Sequence, residues 1–422
     1  MPLHLYLRRL KSNPVILYKK AYGGLSSGTW WLALVMLVNR SGTMVVPFLT
    51  MYLTQKQGVP ISKAGLVMSL FGLGAIVGAL VGGKMVDKIG YYYVQIAALI
   101  GGGAMFIVLG QVTSYVAICA CTFILALLNE SFRPANTVAI AHYSREENRT
   151  RSYSLNRLAI NLGWAAGGAL GGILASFNYG LLFWVDGATN LSAALLLYIT
   201  LSPRRNPSTE KKVKGFKSLE RSKSVYSDKT YLLFIGLIFV FALCFFQIFT
   251  TIPVFFKEQL RLSVWFIGII MALNGLIIAV FEMITIFALE GKRPSLHYIS
   301  AGVILVAISF IILNISFIDS ATLALVSVII LTFGEILAMP FMNAWWISRT
   351  LQHNRGQYAA LFTVAWAGAQ AVGPYGGALL AQHYGYDILW FLVGAVCCVL
   401  AVLYFKLHRE EQLPPEPADF TR

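Results

Sequence analysis

The sequence predicts an all-α membrane protein with twelve transmembrane helices in two pseudo-symmetric six-helix bundles. Three observations lead to this prediction: an apolar composition, a series of long apolar segments and an internal repeat. The 422 residues are 57% hydrophobic and only 12% charged, with a mean hydropathy of +0.69. Soluble chains carry roughly twice that charged fraction. Apolar segments of about 20 residues, enough to cross a bilayer as helices, recur along nearly the whole chain.

The predicted elements follow one another with short loops. Residues 1–26 are basic with interleaved apolar side chains, which indicates a cytoplasmic segment at the membrane surface. An N-terminal bundle at 27–201 and a C-terminal bundle at 230–408 flank a basic, serine-rich linker at 202–229, and a cytoplasmic tail follows at 409–422. The twelve predicted spans are 27–53, 62–85, 91–111, 114–140, 152–176, 180–201, 230–256, 263–289, 296–317, 320–349, 355–383 and 387–408.

The two halves repeat each other in sequence. A shift of about 205 residues places Glu130 on Glu335, Tyr179 on Tyr384, and the glycines of the fifth span on those of the eleventh. Such parallel repeats are typical of membrane carriers whose halves are related by an axis along the membrane normal.

Most of the 33 lysines and arginines fall in segments on the same side as the N-terminus. The positive-inside rule therefore places both termini in the cytoplasm and explains the net charge of +15 without nucleic acid. The first apolar segment begins near Thr29 and is too long for a cleavable signal peptide. The compact chain with short loops fits a carrier of a bacterial inner membrane. We expect the protein to be surrounded by lipid and to act as a monomer.

A short turn after the second span carries the first motif. Gly83, Asp87, Lys88 and Gly90 match the pattern Gly-x-x-x-Asp-Arg/Lys-x-Gly, which resembles the loop between the second and third helices of the major facilitator superfamily. The resemblance implies that this turn is a gate whose acid contacts the start of the eleventh helix. Glu290 occupies the corresponding turn of the second half.

Further patterns resemble particular branches of this superfamily. The glycines of the fifth span, from Gly163 to Gly172, resemble an antiporter pattern in which Gly168 replaces the usual proline. The tenth and eleventh spans, with Glu335 and Pro374, resemble drug:proton antiporters. Arg40 and its surroundings resemble the first helix of proton-coupled oligopeptide transporters, although the glutamates of that motif are absent.

Charged side chains within apolar spans are the strongest functional candidates, since each costs about 2.5 to 3.5 kcal/mol at a helix centre. A carboxylate that alternates between a dry environment and an arginine partner can take up and release a proton. The alternative is a permanently paired network that only orients helices. The predicted proton-coupling and substrate-cavity residues are Arg40, Glu130, Arg133, Arg157, Glu282 and Glu335.

Polar and aromatic side chains near these charges are expected to line a cavity for an amphipathic organic molecule. The alternative for the aromatic residues is helix packing or anchoring at the membrane surface. The predicted lining residues are Asn39, Asn161, Gln247, Asn274, Asn343, Trp345, Trp366 and Gln370.

The favoured function is secondary active transport by alternating access, as a proton-coupled exporter of a drug or metabolite. An importer of a peptide or an anionic metabolite is the alternative, and a receptor or scaffold without transport is a third class. The six histidines fall near span ends without ligand spacing, and the five cysteines all lie within apolar spans. We therefore expect no metal, no cofactor, no nucleic-acid partner and no enzymatic activity.

Overall fold

The structure is a computed structural model that describes residues 24–144, 149–201, 225–289, 291–349 and 355–412, almost all of them in helices. The first half contains α1a (Ser27–Ser41), α1b (Val45–Met51), α2 (Ile61–Ile89), α3 (Tyr91–Gln111), α4 (Tyr115–Tyr143), α5 (Arg149–Phe177) and α6 (Gly180–Thr200). The second half contains α7a (Lys229–Phe245), α7b (Thr251–Glu258), α8 (Val264–Leu289), α9 (Ser295–Ile311), α10 (Ser320–Ser348), α11 (Arg355–Tyr384) and α12 (Tyr386–Gln412).

The predicted all-α membrane fold is confirmed. Within the described ranges, eleven helical segments are long and apolar enough to cross a membrane, and α11 is a further helix of 30 residues. We call the end of the bundle at Thr200 and Lys229 the linker face, and the end at Lys56 and Glu258 the distal face. The predicted N-terminal segment, linker and tail lie mostly outside the described residues.

Local chemistry explains where several helices begin and end. Ser26, Asp228 and Asp319 each accept a hydrogen bond from a backbone amide in the first turn of the following helix. Gly90 and Gly385 have φ angles of 87° and 83°, so α2 and α11 end where only glycine adopts the backbone without strain.

Small residues set how the helices pack. Gly74, Gly78 and Gly82 face α4 so closely that an added methyl group would meet its backbone. Another face of α2, at Gly65 and Gly72, approaches α11 in the same way. The glycine-rich surface of α2 therefore packs against two helices, one from each half of the molecule.

The halves also meet where α5 crosses α8. Gly172 lies directly against Gly268, and Gly275 lies against Ala165. On the distal face, Gln55 donates a hydrogen bond of 2.8 Å to Glu258, and the amide of Ser62 donates one of 3.2 Å to Gln382.

The first helix of each half is broken near its middle, which the apolar spans did not predict. The first helix stops at Ser41 and resumes at Val45, continuing as a π-helical turn at Tyr52–Lys56. The seventh helix changes to a 3₁₀ turn at Phe246–Phe249 before α7b begins. The two breaks are about 205 residues apart, as the internal repeat requires.

Candidate functional site

A cavity of about 240 Å³ lies between the two halves and receives side chains from both. α1b and α5 contribute to it from the first half, while α7, α8 and α10 contribute from the second. Most of its wall is apolar or aromatic, with residues such as Pro47, Trp164, Phe245, Phe249, Phe256 and Met271. An apolar wall with a few polar groups is the usual composition of a small-molecule site.

Three predicted residues form the polar part of this cavity: Asn161, Asn274 and Glu335. Asn274 donates hydrogen bonds from Nδ2 to Oγ1 of Thr332 at 2.9 Å and to a carboxylate oxygen of Glu335 at 3.4 Å. Among the described residues that line the cavity, Glu335 is the only charged one.

Aromatic rings continue from the cavity wall along the second half. Trp164 and Phe249 lie 5.7 Å apart between ring centroids, and Trp366 contacts Phe245 and Phe246 at 6.0 Å each. Trp366 therefore stands behind the lining rings and supports them. A flat apolar ligand would meet a surface already organised by ring contacts.

A second, polar cavity of about 30 Å³ lies inside the first half. Asn39, Arg40, Asn129, Glu130 and Asn190 contribute its polar lining. The Nε atom of Arg40 is buried and has no hydrogen-bond partner in the described part of the chain. The fold thus brings together two of the predicted residues, Arg40 and Glu130. Both lie apart from Glu335.

The remaining predicted charged residues take part in two ion pairs; they are Arg133, Arg157 and Glu282. Glu130 accepts a contact of 3.1 Å from Arg133, whose side chain is 68% exposed. Arg157 of α5 pairs with Glu282 of α8, so this pair joins the two halves in their linker-facing part. Glu282 is buried, whereas the Arg157 side chain is half exposed.

Besides Asn39 and Trp366, four more predicted lining residues lie away from the central cavity. Gln247 donates from Nε2 to the carbonyl oxygen of Gly373 at 3.0 Å, which ties the broken seventh helix to α11. Asn343 bonds within its own helix, and Trp345 packs on Phe234 with ring centroids 4.0 Å apart. Gln370 presents its backbone carbonyl to α2.

The predicted gate lies at the linker end of α2, but the expected turn after residue 85 is wrong, because the helix continues to Ile89 and includes Asp87 and Lys88. Asp87 and Lys88 are exposed, and no atom lies within 4 Å of where a Cβ on Gly83 would be. Gly90 ends the helix. Glu290 lies outside the described residues, so its predicted role stays a prediction.

One buried acid was not among the predicted site residues. Asp186 of α6 is fully buried and accepts hydrogen bonds from the backbone amides of Met44 and Val45, where α1b begins. Its place within an apolar span was a signal in the sequence. The break in the helix that it contacts was not predicted.

The chain is similar to known transporters over most of its length. It is 22% identical over 396 residues to the Na(+), Li(+), K(+)/H(+) antiporter of Planococcus maritimus, covering 87% of this chain and 92% of that protein. It is 21% identical over 378 residues to the quinolone resistance protein NorA of Staphylococcus aureus (strain COL), covering 87% and 93% of the two chains.

Comparison with solved structures gives the same fold. A POT family transporter in complex with 5-aminolevulinic acid superposes with a TM-score of 0.77 at 16% identity, covering 93% of this chain and 98% of that chain. The sequence pattern of the Major Facilitator Superfamily matches residues 30–374, which is most of the chain. The protein is therefore a transporter of the major facilitator superfamily and not an enzyme.

Proposed function

We propose that this transporter exports a small organic molecule in exchange for protons, by exposing the central cavity to each side of the membrane in turn. The observation that carries the proposal is the position of Glu335, a single acid in an otherwise uncharged and largely apolar cavity between the halves. Exchange of protons is also the activity named for the antiporter from Planococcus maritimus.

Glu335 has the surroundings that a proton carrier needs. A carboxylate in a dry cavity favours its neutral form, whereas contact with water or a cation favours its ionised form. Movement of the halves changes both conditions, so Glu335 would bind a proton in one state and release it in the other. Glu130 is the second candidate, with Arg40 or Arg133 as its switching partner.

The cavity wall favours an amphipathic substrate. Trp164, Phe245 and Phe249 provide flat apolar contact, while Asn161 and Asn274 provide hydrogen bonds. Such a site orients a ligand through few polar groups and binds it largely by apolar burial. The name of the quinolone resistance protein from Staphylococcus aureus supports an organic substrate.

The test is transport by the purified protein in liposomes with an imposed pH gradient. Cationic, anionic and peptide compounds are screened for flux and for coupled proton movement. Glu335→Gln should abolish proton-driven flux of the substrate found while retaining the fold. Asp387→Asn, which changes an exposed acid at the start of α12, is the matched control and should transport normally.

Two results would contradict the proposal. Intact pH-driven transport in both Glu335→Gln and Glu130→Gln would exclude these acids as proton carriers. A folded protein that moves none of the compounds would favour the receptor or scaffold class.

Import of a peptide or an anionic metabolite is the second candidate. The half-exposed Arg157, near the cavity on α5, could bind a carboxylate, and the fold matches a POT family transporter. Movement of the substrate in the same direction as protons, rather than in exchange for them, would identify this activity.

Topology and gating belong to the same proposal. The linker face carries the basic segments of the sequence, so we place it in the cytoplasm of a bacterial inner membrane. Asp87 would then close the cytoplasmic side by meeting the first turn of α11, where helix-end amides favour an acid. Asp87→Asn should slow transport without unfolding the protein.

A further inference from the structure

One turn of α6 spans the break in the first helix. Asn190 accepts a hydrogen bond of 2.9 Å from Asn39, before the break. Thr189 lies directly against Gly42, at the break, and Asp186 bonds to Met44, after it. These three residues of α6, which we call the α6 bracket, contact both segments of the broken helix.

Asp186 supplies the acceptors that the start of α1b requires. The first amides of a helix have no partner within the helix. The amide of Met44 donates to the two carboxylate oxygens of Asp186 at 3.0 and 3.1 Å, and the amide of Val45 donates at 2.8 Å. The Asp186 side chain is fully buried, and no ion pair joins it to another described residue.

These hydrogen bonds are strongest with the ionised form of Asp186. Both oxygens accept from backbone amides, and a carboxylate accepts more strongly than a neutral acid, whose hydroxyl oxygen is a poor acceptor. A proton on Asp186 would remove at least one of these charge-assisted bonds. Proton binding would therefore loosen the hold of α6 on α1b.

The equivalent break in the seventh helix is held by neutral groups. Gln247 donates to the carbonyl oxygens of Leu243 and Gly373 at 2.9 and 3.0 Å, and its Oε1 accepts from Thr251 at 2.9 Å. None of these groups changes charge at physiological pH. The two breaks match in position but differ in their response to protons.

We propose that Asp186 is a second proton-binding residue of the transport cycle, which holds α1b in place when ionised and releases it when protonated. α1b carries Pro47 into the wall of the central cavity, so its release would change the cavity directly. The proposal rests on proton-coupled transport for its role in the cycle. The proton-dependent release of α1b can be measured without a substrate.

A small polar cavity lies beside the break that Asp186 holds. The 30 Å³ cavity reaches Gly42 and Thr43 at the break and has room for about two water molecules. Arg40 and Glu130 are the charged groups that line it. On the opposite side α3 packs against α6 through Gly103 and Ile107, which do not titrate.

The test is hydrogen exchange of the full-length protein in lipid nanodiscs from about pH 8 to about pH 5, corrected for the intrinsic pH dependence of exchange. Peptides that cover the break in the first helix should exchange roughly ten- to a hundredfold faster at the acidic end, since charge-assisted hydrogen bonds are lost. Peptides that cover the break in the seventh helix are the internal control and should show no such change.

Variants assign the effect to one residue. Asp186→Asn should exchange fast at every pH, whereas Thr189→Val, on the same turn of α6, should keep the pH dependence of the wild type. Constant exchange in the wild type, or an unchanged pH dependence in Asp186→Asn, would overturn the proposal. If Asp186→Asn does not fold, the wild-type comparison of the two breaks still decides the question.

Glu335→Gln separates this proposal from the proposed function. It should leave the pH dependence of the break intact while abolishing coupled transport. If liposome assays find no proton-coupled substrate but the break still responds to pH through Asp186, the transport proposal fails and the proton-binding site stands.

Discussion

Asp228, immediately before α7a, joins three helices at the linker face. Its carboxylate accepts from Nε and Nη2 of Arg349 at 2.8 and 3.0 Å and from the hydroxyl of Tyr358 at 3.0 Å. It also caps α7a by accepting from the amide of Tyr231. Burial opposes ionisation of Asp228, but the hydrogen bonds from Arg349, Tyr231 and Tyr358 outweigh it and lower the pKa of the carboxyl group below its ordinary value.

Asp228→Asn should destabilise the second half, because the charge-assisted bonds to Arg349 are lost. We expect the free energy of unfolding to fall by about 1–3 kcal/mol, measured by thermal unfolding in detergent near neutral pH. Asp387→Asn, an exposed acid on α12, should leave the unfolding midpoint unchanged.

The pH dependence of this loss follows from the lowered pKa of Asp228. A lowered folded-state pKa stabilises the protein above the ordinary pKa of aspartate, about 3.9. That stabilisation is lost as the pH falls through the folded-state pKa. The difference between wild type and Asp228→Asn should therefore be constant near neutral pH and shrink only in acid, and a difference that shrinks on raising the pH would contradict this assignment.

Part of the candidate site could be predicted from the sequence, one residue at a time. Glu335, Asn274 and Asn161 were found because polar groups in an apolar span are costly and need a reason to be there. Asp186 met the same criterion but was not among the predicted site residues. Its partners are backbone amides of another helix, and amides carry no signature in a sequence.

At the scale of the helix, the glycines of α2 have different structural roles. A methyl group on Gly78 would press on the backbone of Leu127 in α4, whereas one on Gly83 would meet no atom within 4 Å. Gly78→Ala should therefore lower the free energy of unfolding by about 1–3 kcal/mol.

Gly83→Ala, five residues away, is the matched control. Alanine favours a helix over glycine by up to about 1 kcal/mol, so this variant should be as stable as the wild type or more so. Thermal unfolding of both variants checks the pair, and equal destabilisation would show that α2 and α4 pack differently. Slower transport by a stable Gly83→Ala would indicate a close contact in another conformation, as the gate prediction requires.

The helices themselves could be predicted more fully than their interruptions. Hydropathy placed the spans, because a membrane helix must satisfy its backbone internally over about 20 residues. Each break is followed by a proline in the first turn of the next helical segment, Pro47 in α1b and Pro253 in α7b, and a proline cannot donate the amide hydrogen bond that would continue the preceding helix. At these interruptions distant groups offer partners to the freed groups: Asp186 accepts from the start of α1b, and the carbonyl oxygen of Gly373 accepts from Gln247.

At the scale of the molecule, the distal contacts hold the halves together on one side of the cavity. Glu258 accepts from Gln55 of the first half at 2.8 Å and from the hydroxyl of Tyr386 at 3.5 Å. These groups are exposed, so the contact is weak enough to break during transport.

Glu258→Ala should shift the population towards a state open at the distal face, roughly two- to tenfold. Pulsed electron–electron double resonance measures this shift as a change in the distance distribution between spin labels at Val116 and Phe317. Both residues are exposed, and they lie at the distal ends of opposite halves. Glu258→Gln keeps an acceptor for Gln55 and is the control. An unchanged distance distribution in Glu258→Ala would show that these bonds do not hold the distal face closed.

The apolar wall of the central cavity affects how readily protons could leak across the membrane through the protein. Cavities lined by aliphatic and aromatic groups tend to remain dry, because water finds few partners in them. Phe245, Ile248, Phe249 and Ile252 would therefore interrupt a line of water molecules along which protons could run past Glu335. Under the proposed function, the same side chains that suit an organic substrate would keep an empty carrier from letting protons leak across the membrane.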